Sequence, residues 1–204
     1  MIDRLSGSEA SLGEAKEQNV AVLFTDIMGF TTLCESAPPN EVIALLREYH
    51  DRLGKAVLDH DGTLDKYIGD GLMATFGTPE PARDDAARAL RCAFAMIEAL
   101  DQWNTERTAS GMAPVRVGIG LHYGPVVAGD IGNARRLEYG VIGDTVNTAS
   151  RLEHMTRDLG TNLVVSGALI DAIPPPETAL AGRLKDAGPQ PVRGRDGGVR
   201  VWTL

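Results

Sequence analysis

The patterned segments of the chain follow the order strand, helix, strand, strand, helix, strand. That order predicts an α+β domain with a ferredoxin-like βαββαβ core, an antiparallel sheet with helices on one face, continued by a C-terminal α/β extension. Three observations carry the prediction. Short apolar runs at 20–24, 72–76 and 115–121 have strand length, and two longer stretches, 40–61 and 83–103, repeat apolar residues at helical spacing. Between 63–68 and 72–76, both strand-like in content, Gly69-Asp70-Gly71 leaves a gap of hairpin size.

Each element has a local reason. Residues 1–18 are polar and include Ser6-Gly7-Ser8 and Gly13, so they read as a flexible lead-in or linker, with the ordered domain running over 19–204. The uninterrupted apolar run 20–24 suits a strand covered on both faces, and Asp26 falls just beyond it. After Pro38-Pro39, Asn40 is the expected helix cap; Val42, Leu45, Leu46, Tyr49, Leu53, Ala56 and Val57 then recur until Asp61-Gly62 stops the pattern. The hairpin carries Asp70 at its tip. The second helix places Ala86, Leu90, Ala93, Phe94, Ile97 and Leu100 on one face. The strand at 115–121 contains Arg116, a charge that is expensive to bury without an anionic partner. Beyond it, the pattern predicts a short strand near Val126, an arm over 135–139, a helix over 144–157, a strand over 163–165 and a hairpin ending at 199–204. Pro174-Pro175-Pro176 marks a surface loop.

Composition narrows the function. The 204 residues, 43% hydrophobic and 24% charged, fit one large globular domain. A net charge of −8 argues against nucleic acid as a partner, because phosphate backbones require a basic footprint. No apolar run approaches a membrane span and the N-terminus lacks a signal-peptide layout, so the expectation is no membrane contact by this segment and a cytoplasmic location. Cys34 and Cys92 are far apart with no histidine at metal-site spacing, and read as reduced small hydrophobes. The glycines at 118, 120, 124 and 129 do not spell a dinucleotide fingerprint, and no phosphate-loop lysine motif occurs.

What remains is a pair of carboxylates. Asp26, in Val22-Leu23-Phe24-Thr25-Asp26-Ile27-Met28-Gly29-Phe30-Thr31, and Asp70, in Lys66-Tyr67-Ile68-Gly69-Asp70-Gly71, each sit where an apolar strand breaks into small residues. Taken singly, either is equally a cap or a turn residue. In the βαββαβ arrangement, however, the first strand and the hairpin are neighbours, so two aspartates 44 residues apart meet at one edge of the sheet. Paired carboxylates there suit Mg²⁺ or Mn²⁺ carrying nucleotide phosphates.

Two further blocks follow these, Val115-Arg116-Val117-Gly118-Ile119-Gly120-Leu121-His122 and Val141-Ile142-Gly143-Asp144-Thr145-Val146-Asn147-Thr148-Ala149-Ser150-Arg151-Leu152. In order and spacing the four blocks resemble the class III nucleotidyl cyclase catalytic domain, over 19–204. The resemblance implies conversion of a nucleoside triphosphate to its 3′,5′-cyclic monophosphate and pyrophosphate, with two divalent metal ions, Mg²⁺ or Mn²⁺. It makes Asp26, Asp70 and the Ile27 carbonyl the metal ligands, and the segment of Gly29, Phe30 and Thr31 a phosphate-binding helix start. Asn147 then orients the ribose and Arg151 stabilises the pentavalent phosphate, while Arg116 and Arg193 pair with the triphosphate. Lys66 takes the position that reads the purine; an ammonium donates to adenine N1, which favours ATP. The family's second purine reader, usually Asp or Thr in adenylyl cyclases, falls here on Gly140, which has no side chain. Adenylyl cyclase is therefore the leading expectation, with a guanylyl or dual-specificity cyclase favoured by Gly140, and a non-catalytic regulatory homologue as the rival from another class. The resemblance also implies a head-to-tail homodimer with shared sites. In that reading Asp26, Asp70 and Arg116 serve one site and Lys66, Gly140, Asn147, Arg151 and Arg193 the other, with 130–139 as an arm across the interface. His122, beside a strand end, is read as a packing or hydrogen-bonding residue.

Overall fold

A computed structural model of the chain describes residues 15–133, 136–192 and 197–204. Its strands are β1 (Lys16–Ile27), β2 (Thr63–Ile68), β3 (Gly71–Phe76), β4 (Val117–Asn133), β5 (Arg136–Ile142), β6 (Leu163–Ser166), β7 (Lys185–Gln190) and β8 (Val199–Thr203). The helices are α1 (Phe30–Ser36), α2 (Pro39–Asp59), α3 (Asp85–Ala109), α4 (Asp144–Asp158) and α5 (Gly167–Asp171), with a 3₁₀ segment at Glu177–Arg183. The strands form one sheet in the order β2-β3-β1-β4-β6-β8-β7, and β5 pairs with the distal half of β4. The first four positions reproduce the antiparallel ferredoxin-like core.

The structure departs from the sequence expectation in particular places. The sheet as a whole is mixed, because β6 runs parallel to β4. Helices also cover both faces. Ala21, Leu23, Leu72, Ala74 and Phe76 pack with α2 and α3, whereas Val20, Val22, Met73, Val126 and Ala128 pack with Ala149 of α4 on the other side. β1 is far longer than its apolar run, since it pairs with β4 from Lys16↔Ala128 to Ile27↔Val117; Asp26 therefore lies inside the strand and not beyond it. The segments at 115–121 and 126 are one continuous β4. Helix α2 begins at Pro39, so Asn40 is in the first turn and not the cap; the proline ring already holds the φ angle that a first helical residue needs. Helix α3 runs on to Ala109, and α5 and the 3₁₀ segment had no strong periodicity to announce them. Of the two cysteines, both free, Cys92 is buried but Cys34 is exposed on α1, a helix with no buried residue. Burial pushes the Cys92 thiol up to about 12, which keeps it an inert thiol.

Candidate active site

The hairpin turn between β2 and β3 and the end of β1 meet. Thr25, next to Asp26, pairs with Leu72, next to the turn, and the Thr25 hydroxyl accepts the Leu72 N–H at 3.3 Å. That hydroxyl also shares a hydrogen bond with the Tyr49 hydroxyl of α2, which is wholly buried. Two glycines allow the approach. Gly69 has φ 61, and a Cβ at Gly71 would stand 2.2 Å from the Thr25 carbonyl oxygen. As a result the turn brings the Asp70 carboxyl close to that of Asp26, whose Oδ1 would stand 3.5 Å from a Cβ at Gly71. Burial first, and then the Asp26 charge, raise the Asp70 pKa above the usual carboxylate range.

Two carboxyl groups so close need a shared proton or a cation between them, and this is the fit expected of a divalent ion site. Both are partly exposed, and their oxygens are the hard donors that Mg²⁺ and Mn²⁺ prefer. Among the described residues no cluster of three or more His, Cys, Asp or Glu side chains could hold a metal. Water or the oxygens of a bound ligand would therefore have to complete the coordination.

Sequence reasoning missed the cation on this pair. Arg157, near the end of α4, makes an ion pair with Asp26 through Nη2, and its Nη1 lies 2.7 Å from Oε1 of Glu153. Glu153 is buried, which raises its pKa against the lowering effect of Arg157. The i, i+4 spacing of Glu153 and Arg157 was readable as a helix pair, but nothing in it pointed to Asp26.

The other expected residues lie elsewhere. Asn147 is exposed on α4, and Arg151, one turn on, lines an open cleft of about 530 Å³ with Ser150, His154, Pro191 and Val192. Arg151 Nη1 is buried with no hydrogen-bond partner; the nearest carboxylate is Asp144 at 4.0 Å. Lys66 is half exposed on β2, with Nζ 3.2 Å from Oδ2 of Asp65. Gly140 pairs with Gly129 in the β4–β5 hairpin. Among the described residues no hydrogen bond or ion pair joins Lys66, Asn147 or Arg151 to Asp26 or Asp70. Arg116 corrects an expectation: it precedes β4 and is exposed, because its strand partnership begins only at Val117. Its carbonyl accepts the Met28 N–H at 2.8 Å, which ties down the turn into α1. In that turn Gly29 caps the helix, Phe30 opens it and Thr31 is exposed. Arg193 lies outside the described residues, though its neighbours Pro191 and Val192 line the Arg151 cleft. His122 is buried with Nδ1 2.7 Å from the Ser166 hydroxyl, as a structural histidine should be.

Comparison with known proteins agrees with this fold. The family model for the adenylate and guanylate cyclase catalytic domain matches residues 13–203. Adenylate cyclase 1 of Rhizobium meliloti is 43% identical over 76% of the chain, and the adenylate cyclase of Anabaena cylindrica is 36% identical over 95%. The chain spans 24% and 38% of the lengths of those two relatives. Among solved structures, the guanylyl cyclase Cya2 superposes with a TM-score of 0.81 at 32% identity, covering 93% of this chain and 92% of its own. The adenylyl cyclase CyaB from P. aeruginosa gives 0.80 at 28% identity, covering 93% and 95%. The fold, the paired aspartates and these matches together place the chain in the family of adenylate and guanylate cyclase catalytic domains.

Proposed function

We propose that this domain is an adenylyl cyclase, converting ATP to 3′,5′-cyclic AMP and pyrophosphate with two divalent metal ions, at sites completed by a second copy of the chain. The observation that carries this is the separation of two incomplete groups on one chain. Asp26 and Asp70 form a carboxylate pair at one place, and Arg151 holds a buried Nη1 without a hydrogen bond at another, 4.0 Å from Asp144.

The ribose 3′-oxygen attacks the α-phosphorus, a new P–O bond forms, the bond to the bridging oxygen breaks, and pyrophosphate leaves with its electrons. Two divalent ions, when bound, would lower the pKa of the attacking hydroxyl, whose proton passes to water, and would neutralise the leaving pyrophosphate. Asp26, Asp70 and the Ile27 carbonyl would hold them, and the backbone from Ile27 to Thr31 would offer N–H groups to the terminal phosphates. From the partner copy, Asn147 orients the ribose and Arg151 donates to the phosphate oxygens as charge builds there, with Lys66 against the purine. Preorganised donors of this kind act without reorganising during the reaction and contribute about 3–4 kcal/mol each. Both half-sites reside in one chain, so a two-fold homodimer has two equivalent sites and a monomer has none.

A guanylyl or dual-specificity cyclase is the second reading, favoured by the missing side chain at Gly140 and by the likeness to Cya2. Cyclic nucleotide formed from ATP and from GTP, measured separately with Mn²⁺ across a dilution series of protein, tests both. Cyclic AMP in excess, falling faster than linearly on dilution, supports the dimeric adenylyl cyclase. Cyclic GMP in equal or greater amount overturns the ATP assignment, and no product from either overturns the cyclase reading of this chain.

A further inference from the structure

The second purine-reading position is empty of side chain at Gly140, yet a carboxylate from another strand stands beside it. A Cβ built on Gly140 would lie 3.9 Å from Oδ1 of Asp65. Asp65 precedes Lys66 on β2, where consecutive side chains ordinarily point to opposite faces of the sheet. Here the β2–β3 register shifts between Leu64 and Lys66, leaving Asp65 without a residue opposite. Such a bulge re-aims a side chain, and it brings the Asp65 carboxylate to within 3.2 Å of the Lys66 ammonium.

The Asp65 side chain is only 7% exposed, while that of Lys66 is 48% exposed. Oδ2 of Asp65 is buried and has no hydrogen-bond partner, the Lys66 contact being an ion pair outside hydrogen-bond geometry. Oδ2 is thus closed off beside the ammonium, and Oδ1, the atom next to the open Gly140 position, is the oxygen left to accept from a ligand. The cluster thus presents one donor, Lys66, and one acceptor, Oδ1 of Asp65, side by side at the place where the family's two purine readers fall.

We propose that Asp65 is the second purine-reading residue of this site, accepting a hydrogen from the exocyclic 6-amino group of adenine while Lys66 donates to N1. The inference rests on the cyclase reading above and names its substrate selector. Adenine offers a donor at position 6 and an acceptor at N1, which matches the Asp65–Lys66 pair. Guanine in the same pose turns a carbonyl oxygen toward the carboxylate and an N–H toward the ammonium, two mismatches. A site built around such polar pairs rejects the wrong partner strongly, because its buried groups are left unpaired.

The test is the ratio of kcat/KM for ATP to that for GTP in the intact chain. Wild type, Asp65→Ala, Asp65→Asn and the double variant Asp65→Ala/Gly140→Asp are compared, each checked for folding by circular dichroism. Asp65→Ala is expected to lower the ratio about a hundredfold, mainly through ATP, and Asp65→Asn, which keeps the shape and an acceptor oxygen, about tenfold. Restoring a carboxylate at position 140 should return at least about tenfold of the lost preference. The backbone there is compatible with any residue, and the nearest atom to a new Cβ is the flexible end of Ile131, at 3.3 Å. If Asp65→Ala and Asp65→Asn lower ATP and GTP turnover alike, or leave the ratio unchanged, Asp65 merely holds Lys66 and the inference is overturned while the cyclase reading stands. A wild-type protein that forms no cyclic nucleotide from either purine overturns both.

Discussion

Arg157 and Asp26 are 131 residues apart in the chain, and they form an ion pair at the mouth of the carboxylate site. The same guanidinium holds Glu153, whose carboxylate is buried beneath it. Helix α4 thus has two jobs. Its first half carries Asn147, exposed to solvent, and Arg151, which lines the cleft proposed to meet a partner's substrate. About 9 Å further along the axis, Arg157 neutralises this chain's own aspartate.

Replacing Arg157 with Met should therefore cost stability as well as activity. Glu153 would lose its charged partner in a buried setting, although the arginine's own partial exposure moderates the effect to about 1–2 kcal/mol. For a chain of this length, that corresponds to a fall of about 2–8 °C in Tm. Glu153→Gln added to the Arg157 variant should recover part of the loss, read by thermal denaturation. An unchanged Tm in the single variant would show that Glu153 does not depend on Arg157.

Asp70→Asn should make the ligand-free protein more stable at pH 7 while destroying its activity. The folded pKa of Asp70 is raised, so the native state binds this proton more readily than the unfolded chain. Stability from this group therefore rises as pH falls through the folded value and is reduced above it. The advantage of the asparagine, read as a higher Tm at neutral pH, should shrink on acidification, where wild type protonates the group anyway. Added Mn²⁺ should reverse the order by stabilising wild type alone. A melting profile for the asparagine variant identical to wild type at both pH values would contradict this account.

Asp26→Ala and Arg151→Ala should each lower turnover by about a hundredfold or more, and yet restore one another when mixed. Random pairing makes half the dimers mixed, each with one intact site, so the mixture should approach about a quarter of wild-type activity. Activity no greater than the sum of the separate variants would show that the two groups do not serve one shared site.

Lys66→Glu should weaken ATP use about tenfold or more and improve GTP use, since a carboxylate accepts from guanine N1 where an ammonium cannot. Parallel cyclic AMP and cyclic GMP assays check it. Equal loss with both nucleotides would make Lys66 a structural residue.

The core and the carboxylate pair were legible because their signals are local. Alternating and helical periodicities name the elements, Gly69 and Gly71 mark a turn that only glycine fits, and the strand–helix–strand order makes β1 a neighbour of the hairpin. Arg116 was misjudged for a reason of the same kind. An arginine in an apolar run looks buried, but where pairing starts is decided by the partner strand, and β1 ends opposite Val117.

The sequence by itself determined the fold class, the meeting of Asp26 with Asp70, and the residue types on which the proposed phosphate and purine contacts draw. Tertiary structure alone decided that Arg157 closes on Asp26, that Thr25 and Tyr49 brace the strand beside it, and that a bulge turns Asp65 toward Gly140. It also decided that α4 covers the second face of the sheet. The reason is physical. Backbone periodicity is set by near neighbours in the chain, whereas the direction of a side chain and the charge it meets depend on register and packing between segments far apart in sequence.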